Sequence, residues 1–284
     1  MLSKNWMESR YTIGSLVARS AAMQRLVKQA GLQINETSPL LIVGETGTGK
    51  SLLARAMHNS SIRAEKPFVS VSSERLAPNA VESVLFGSDE VKGVLARSTG
   101  GTLLFTNIEE LSPMAQERLC RIIDENVAAS QSDKSATSRT RLMFTAHSGD
   151  LAERLSRGMF SESAYHAMSP FVLTMPTLSE RNADIPYLVA DVLHTFATRE
   201  RVVRPSVPYH YMELLTRVEW PENVRQLRNH VESVMALSNG KFEPAVLLAH
   251  FDEIESPQTL KALVQELLQK LVSSPQTAGA SATN

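Results

Sequence analysis

Apolar and polar positions divide the chain into two stretches of different rhythm. In the first, short apolar runs alternate with segments of helical period. PLLIVG (39–44), PFVSVS (67–72), GTLLFT (101–106), RLMFTA (141–146) and FVLTMP (171–176) each read as a buried strand bounded by turn residues. LVARSAAMQRLVKQAGLQ (16–33), the segment from Ser51 onward and SPMAQERLCRIIDENV (112–127) carry apolar residues at helical spacing. SQSDKSATS (130–138) is polar and patternless and reads as a loop. Strands alternating with helices predict an α/β fold: a five-stranded parallel sheet covered on both faces. After Asp184 the strands stop. IPYLVADVLHTFATRE, VPYHYMELLTRV and NVRQLRNHVESVMAL predict a small helical domain, PQTLKALVQELLQKLV (257–272) a last amphipathic helix, and SSPQTAGASATN a disordered tail. The expected division is a core over 1–185, a helical lid over 186–252, the helix over 253–272 and the tail over 273–284.

Composition narrows this little. The 284 residues are 43% hydrophobic and 21% charged, as in an ordinary globular core. A net charge of −1 gives no whole-chain reason to bind nucleic acid or membrane. The single cysteine, Cys120, falls in a helical pattern and reads as a small buried hydrophobe. The N-terminal segment lacks the apolar run of a signal peptide, and no run of eighteen apolar residues occurs, so a cytoplasmic protein is expected.

The chemistry sits in GETGTGKS, residues 44–51. Gly44, Gly49, Lys50 and Ser51 meet the phosphate-loop pattern, and Glu45, Thr46, Gly47 and Thr48 are the residues whose backbone would line it. The glycines let backbone N–H groups turn inward around a phosphate. Lys50 supplies a point charge for the β- and γ-phosphates, and the Ser51 hydroxyl a magnesium ligand. The context is the required one, an apolar strand before and a helix after.

With LVARSAAMQRL, LLIVGETGTGKSLLARAMHNSSIRAEKPFVSV, ESVLFG, GGTLLF, LSERNADI and WPENVRQLRN in this order, the chain resembles the AAA+ ATPase module of bacterial enhancer-binding proteins, activators of sigma-54 RNA polymerase. The resemblance runs from about Leu16 to Phe251. It implies a P-loop core followed by a helical lid, ring-shaped assembly and ATP-driven remodelling of the polymerase. It also implies that Arg225 contacts the γ-phosphate from the lid and that Val17 lies on the adenine side.

The departures from that family are grouped. Thr106 and Asn107 stand where it has an aspartate for magnesium and a glutamate that polarises water. Glu109 and Glu110 lie beyond. At about 3.3 Å per strand residue, acids three residues on are expected well past the site, and Glu110 matches a separate family acid. Ser72 replaces an asparagine that restrains the catalytic glutamate, and Ala146-His147 replaces a Thr-Asn pair that senses the γ-phosphate. Ser161 and Ala167 replace two arginines that reach a neighbouring subunit, and Arg154 and Arg157 are out of register to substitute. LFGSDEVKGVLARSTGG runs through without the GAFTGA contact loop, and Glu222 replaces a glycine, with a changed turn expected.

The resulting expectation is a module that binds ATP or ADP, holds Mg2+ weakly and hydrolyses ATP poorly or not at all. It would act by nucleotide-gated oligomerisation with itself or in a mixed ring with related subunits, with RNA polymerase or another regulator as a further partner. No DNA-binding domain is visible. Two alternatives stand beside this: an active ATPase whose missing groups come from another subunit or from shifted acids, and a scaffold that binds no nucleotide.

Overall fold

The computed structural model describes residues 11–88, 90–132 and 140–237. The chain divides into two compact units between Arg181 and Asn182.

The first unit is built on β1 (Leu40–Val43), with α1 (Ala21–Leu32) before it and α2 (Lys50–Asn59) after it. There follow β2 (Phe68–Ser72), α3 (Val81–Phe86), α4 (Val94–Arg97), β3 (Thr102–Thr106), α5 (Pro113–Ser132), β4 (Arg141–Ala146), α6 (Ser148–Ser156), α7 (Glu162–Met168) and β5 (Phe171–Thr174). The five strands form one parallel sheet in the order β2-β3-β4-β1-β5. The chain enters at β1, jumps to the far edge for β2, and works back. The crevice between the carboxyl ends of β1 and β4 is therefore a switch point, where open α/β sheets bind ligands.

The inner strands β1, β3 and β4 are covered on both faces, which is why they read as apolar runs rather than alternations, while the edge strands β2 and β5 are partly exposed. Leu41, Leu103, Phe105, Leu142 and Phe144 face one layer, packed with residues of α5. Leu40, Ile42, Leu104, Met143 and Leu173 face the other, packed with α1 and α2. Phe105 and Phe144 pair in register and their rings stack at 5.5 Å.

Two contacts fix α2 to this sheet. His58, near its last turn, meets the Thr102 hydroxyl with Nδ1 at 2.9 Å and the Phe68 ring edge-on at 5.1 Å. Burial, assisted by Arg55, lowers the His58 pKa to about 4, so the ring is neutral at ordinary pH. At the start of β3, a Cβ on Gly101 would lie 1.9 Å from the Pro67 carbonyl oxygen, so only glycine fits the second position of the Gly-Gly pair.

The second unit contains α8 (Ile185–Glu200), α9 (Tyr209–Arg217) and α10 (Asn223–Leu237). Its core includes Val189, Leu193, Leu215, Leu227 and Val231, and the Trp220 indole N–H donates to the Leu215 carbonyl at 3.0 Å. The five strands and three lid helices agree with the sequence pattern.

The helix expected over 16–33 starts only at Ala21, because Ser20 adopts an extended conformation and its hydroxyl caps the Met23 N–H. The helix expected to end at 127 runs on to Ser132, which displaces the start of the loop expected at 130. The short helices α3, α4, α6 and α7 were not legible as period. In the turn that holds Glu222 the left-handed residue is Asn223, with φ of 52°. The expected 253–272 helix and 273–284 tail lie outside the described residues.

Candidate functional site

Gly44–Ser51 joins the end of β1 to α2. Gly44, Gly47 and Gly49 have φ of 155°, 75° and 105°. A Cβ on Gly44 would fall 2.8 Å from Met175 Cβ, so the loop's first residue has no room for a side chain. The Thr48 hydroxyl donates to the Glu45 carbonyl at 2.8 Å and draws the loop into a ring. The Lys50 ammonium donates to the carbonyls of Gly44 at 2.8 Å and Glu45 at 2.9 Å, which places it across the ring's mouth. Ser51 lies in the first turn of α2, whose N-terminal N–H groups favour an anion.

The loop is fastened from beneath by a residue to which sequence reasoning gave no role. Arg181 is 4% exposed. Its guanidinium donates to the Thr48 carbonyl at 2.8 Å and to the Met23 sulfur at 3.1 Å. Its planar fork reaches α1 with one nitrogen and the loop with another, a fixed geometry that a lysine ammonium does not reproduce. The segment LSERNADI carried the signal, as part of the resemblance, without saying what its arginine does.

Beside the loop, the ends of β3 and β4 lack the expected acids and sensor. Ser72 pairs across to Thr106, with no carboxylate between them. Asn107 is exposed and takes a left-handed conformation, with φ of 58° and ψ of 51°. The His147 ring is held at the start of α6. Its Nδ1 accepts from the Asp150 N–H at 3.3 Å and lies 3.1 Å from an Asp150 carboxylate oxygen, as the cap of α6.

Glu109 corrects the expectation drawn from strand rise. The left-handed Asn107 ends the strand, and a single 3-10 turn over Ile108–Glu110 folds the chain back. Glu109 thereby becomes 4% exposed, and its Oε1 accepts the His147 backbone N–H at 3.1 Å. Burial pushes the Glu109 carboxyl up from its ordinary pKa. Its own backbone N–H, the His147 N–H and the Lys50 ammonium pull it back, and Asp150 pushes it up further. Glu110, in contrast, is exposed and occupied, both its oxygens lying 3.0 Å from Arg154.

The positions of the absent arginines have local duties. The Ser161 hydroxyl caps α7, its N–H donates to Gln116 at 2.8 Å, and Ala167 packs against the core. Arg157 pairs with Glu153 at 2.7 Å on its own helix. Where the contact loop was missed, Gly87 and Lys92 form an antiparallel bridge, and the Gly93 N–H donates to the Phe86 carbonyl at 3.3 Å, closing a short turn. Val17 is half-buried in the irregular stretch between the Ile13–Ser15 turn and α1. Arg225 is exposed in the first turn of α10, in the second unit. No helix among the described residues is long and apolar enough to cross a membrane.

Comparison with known proteins meets this geometry. Residues 16–174 match the family described as the Sigma-54 interaction domain, and residues 179–272 match the AAA+ ATPase lid domain. The chain belongs to the sigma-54 interaction domain family. Among curated members, it is 35% identical over 237 residues to the transcriptional regulatory protein ZraR of Escherichia coli K12, covering 80% of this chain and 54% of that one. It is 32% identical over 241 residues to the HTH-type transcriptional regulatory protein TyrR of Citrobacter braakii, covering 84% and 47%. This sigma-54 interaction domain protein thus spans about half the length of the curated relatives it matches. Among solved structures, NtrX from Brucella abortus in complex with ATP aligns with a TM-score of 0.73 at 28% identity, covering 90% of this chain and 61% of that one. NtrX in complex with ADP aligns equally well, over 91% and 62%. RuvB of Thermotoga maritima shares the fold, with a TM-score of 0.57 at 12% identity over 87% of this chain and 72% of that one.

The Arg181 fork predicts a measurable loosening. Arg181→Ala removes a charged donor from the Thr48 carbonyl and is expected to destabilise the first unit by about 1.5–3 kcal/mol. Amide exchange at residues 46–50 is expected to quicken, and Arg181→Lys is expected not to restore it. Wild-type exchange rates in Arg181→Ala would remove the anchoring role.

Proposed function

We propose that this chain is the nucleotide-binding module of a bacterial transcription regulator, gated by ATP or ADP and poor at hydrolysis. The observation that carries the reading is a division of labour. The phosphate loop has its glycine conformations, its lysine and its anchor in place, while Thr106, Asn107, Ser161 and Ala167 supply none of the charges needed to cleave a triphosphate. NtrX, 28% identical, has been crystallised with both ATP and ADP, which supports the same ligands here.

In this reading Gly44–Ser51 takes the phosphates, Arg225 answers the γ-phosphate from the lid, and Val17 lies on the adenine side. The positive φ of Gly44, Gly47 and Gly49 and the helix N-terminus after them fit a phosphate cradle. The donor set for a metal is thinner. Among the described residues, no three His, Cys, Asp or Glu side chains gather to hold one. Mg2+ would then be held by Ser51 together with the nucleotide's own phosphates, and weakly. The working output is assembly with copies of this chain, or with related subunits in a mixed ring, in contact with RNA polymerase or another regulator.

Binding is tested by calorimetry with ATP, ADP and a slowly hydrolysed analogue. Lys50→Ala is expected to weaken all three about tenfold to a hundredfold, since it removes a charge-assisted contact to phosphate. Equal binding by wild type and Lys50→Ala, or none by either, would contradict the reading.

The short turn from Phe86 to Gly93 replaces the family's contact loop, so this chain alone is expected not to engage sigma-54. A pull-down and an open-complex assay with purified sigma-54 holoenzyme, with and without ATP, check this. Nucleotide-dependent capture or open-complex formation would show that the turn suffices.

A further inference from the structure

The chain lacks acids at Thr106 and Asn107, yet a carboxylate returns to the same edge of the sheet. Glu109 is buried at the end of β4, next to β1, the strand that opens the phosphate loop. One of its oxygens is oriented by the His147 N–H, while Oε2 is buried and meets no hydrogen-bond partner among the described residues. Such an orphan is rare in a folded protein and is explained when a ligand or water completes it. The Lys50 ammonium is close enough to act on its charge. Its neighbours are poor candidates for the same work. Glu110 is taken up by Arg154, and the Asp150 side chain is 57% exposed and engaged with His147.

We infer that Glu109 is the general base of the nucleotide site, its Oε2 taking a proton from the water that attacks the γ-phosphorus of a nucleoside triphosphate on the Gly44–Ser51 loop. This rests on the nucleotide-binding reading above and names the residue behind its slow hydrolysis. The water oxygen bonds to the γ-phosphorus. The bond from that phosphorus to the β,γ-bridging oxygen breaks, and its electron pair leaves on the nucleoside diphosphate. Glu109 holds the water's proton and then releases it to solvent. The step stays slow because Ser161 and Ala167 bring no guanidinium to the transferring phosphoryl group.

A base must be ionised, so the rate rises as Glu109 loses its proton and falls on the acid side. Several other groups share this environment. Lys50 lies across the loop. His147, Asp150, Glu153 and Arg154 belong to α6 and its cap, Glu110 to the same turn, and Glu74 and Arg75 to the turn over Ser73–Arg75. On β4, Arg141 is at the opposite end of the strand. Because several of these are ionisable side chains, the decisive comparison is Glu109→Gln, which keeps an acceptor for the His147 N–H and removes the carboxylate.

The experiment is single-turnover cleavage of ATP with Mg2+, protein in excess, by wild type, Lys50→Ala and Glu109→Gln, with affinities measured in parallel. Wild type is expected to cleave slowly and to lose cleavage in Lys50→Ala. Glu109→Gln is expected to bind ATP within about twofold of wild type, to cleave about a hundredfold more slowly, and to lose the acid limb of the pH profile. Calorimetry with a non-hydrolysable analogue, at about pH 6 in buffers of different ionisation enthalpy, adds a readout free of turnover. Phosphate charge arriving beside a carboxylate favours its protonation, so wild type is expected to take up more proton on binding than Glu109→Gln. Equal proton uptake, equal cleavage by wild type and Glu109→Gln, or binding without any Lys50-dependent cleavage would overturn the assignment and leave the binding reading standing. Absence of ATP binding by wild type would overturn both.

Discussion

The pairing of β1 with β4 is the constraint on which the rest depends. Val43 lies level with Ala146, and the Gly44 N–H continues the ladder to the Ala146 carbonyl at 3.3 Å. The phosphate loop thus leaves the sheet from between two paired strands buried on both faces. Its position is set by core packing rather than by the loop itself. Arg181 then fixes the loop's far side to α1 through Thr48 and Met23. An anion site made of backbone N–H groups needs this support, because its donors cannot reorient as side chains do. The same pairing brings the end of β4, and with it His147, beside the loop.

From this arrangement the losses acquire a structural logic. Several of the positions where the resemblance led to another expectation serve local structure here. Asn107 makes the left-handed turn, His147 and Ser161 cap helices, Ala167 packs on the core, and a bridge between Gly87 and Lys92 closes the turn. In the proposed reading, these residues keep the fold while leaving the site short of charge. We propose that the nucleotide then acts here chiefly as a ligand whose binding orders a surface, with cleavage a slow following event.

The inner strands β1, β3 and β4 were legible because they are buried on both faces and read as apolar runs. The phosphate loop was legible because its chemistry is local and its spacing fixed. Other features were hidden for physical reasons. The four-residue α4 shows too little period to be recognised. Arg181 works through a contact across 133 residues of sequence. Glu109 was misplaced because extended geometry was carried past the strand's end. One left-handed residue at Asn107 reverses the chain, and asparagine adopts that conformation more readily than most residues. A turn signal read at Asn107 could have brought Glu109 into view.

Steady-state phosphate release at saturating ATP and Mg2+, with Lys50→Ala as the control for contaminating activity, tests the central claim most directly. The account predicts turnover at least about 10³-fold below that of a relative with both acids and both arginines, yet above the control, because arginines supplied in trans alone are worth that much in rate. Turnover at the level of an ordinary AAA+ ATPase, abolished by Lys50→Ala, would contradict it.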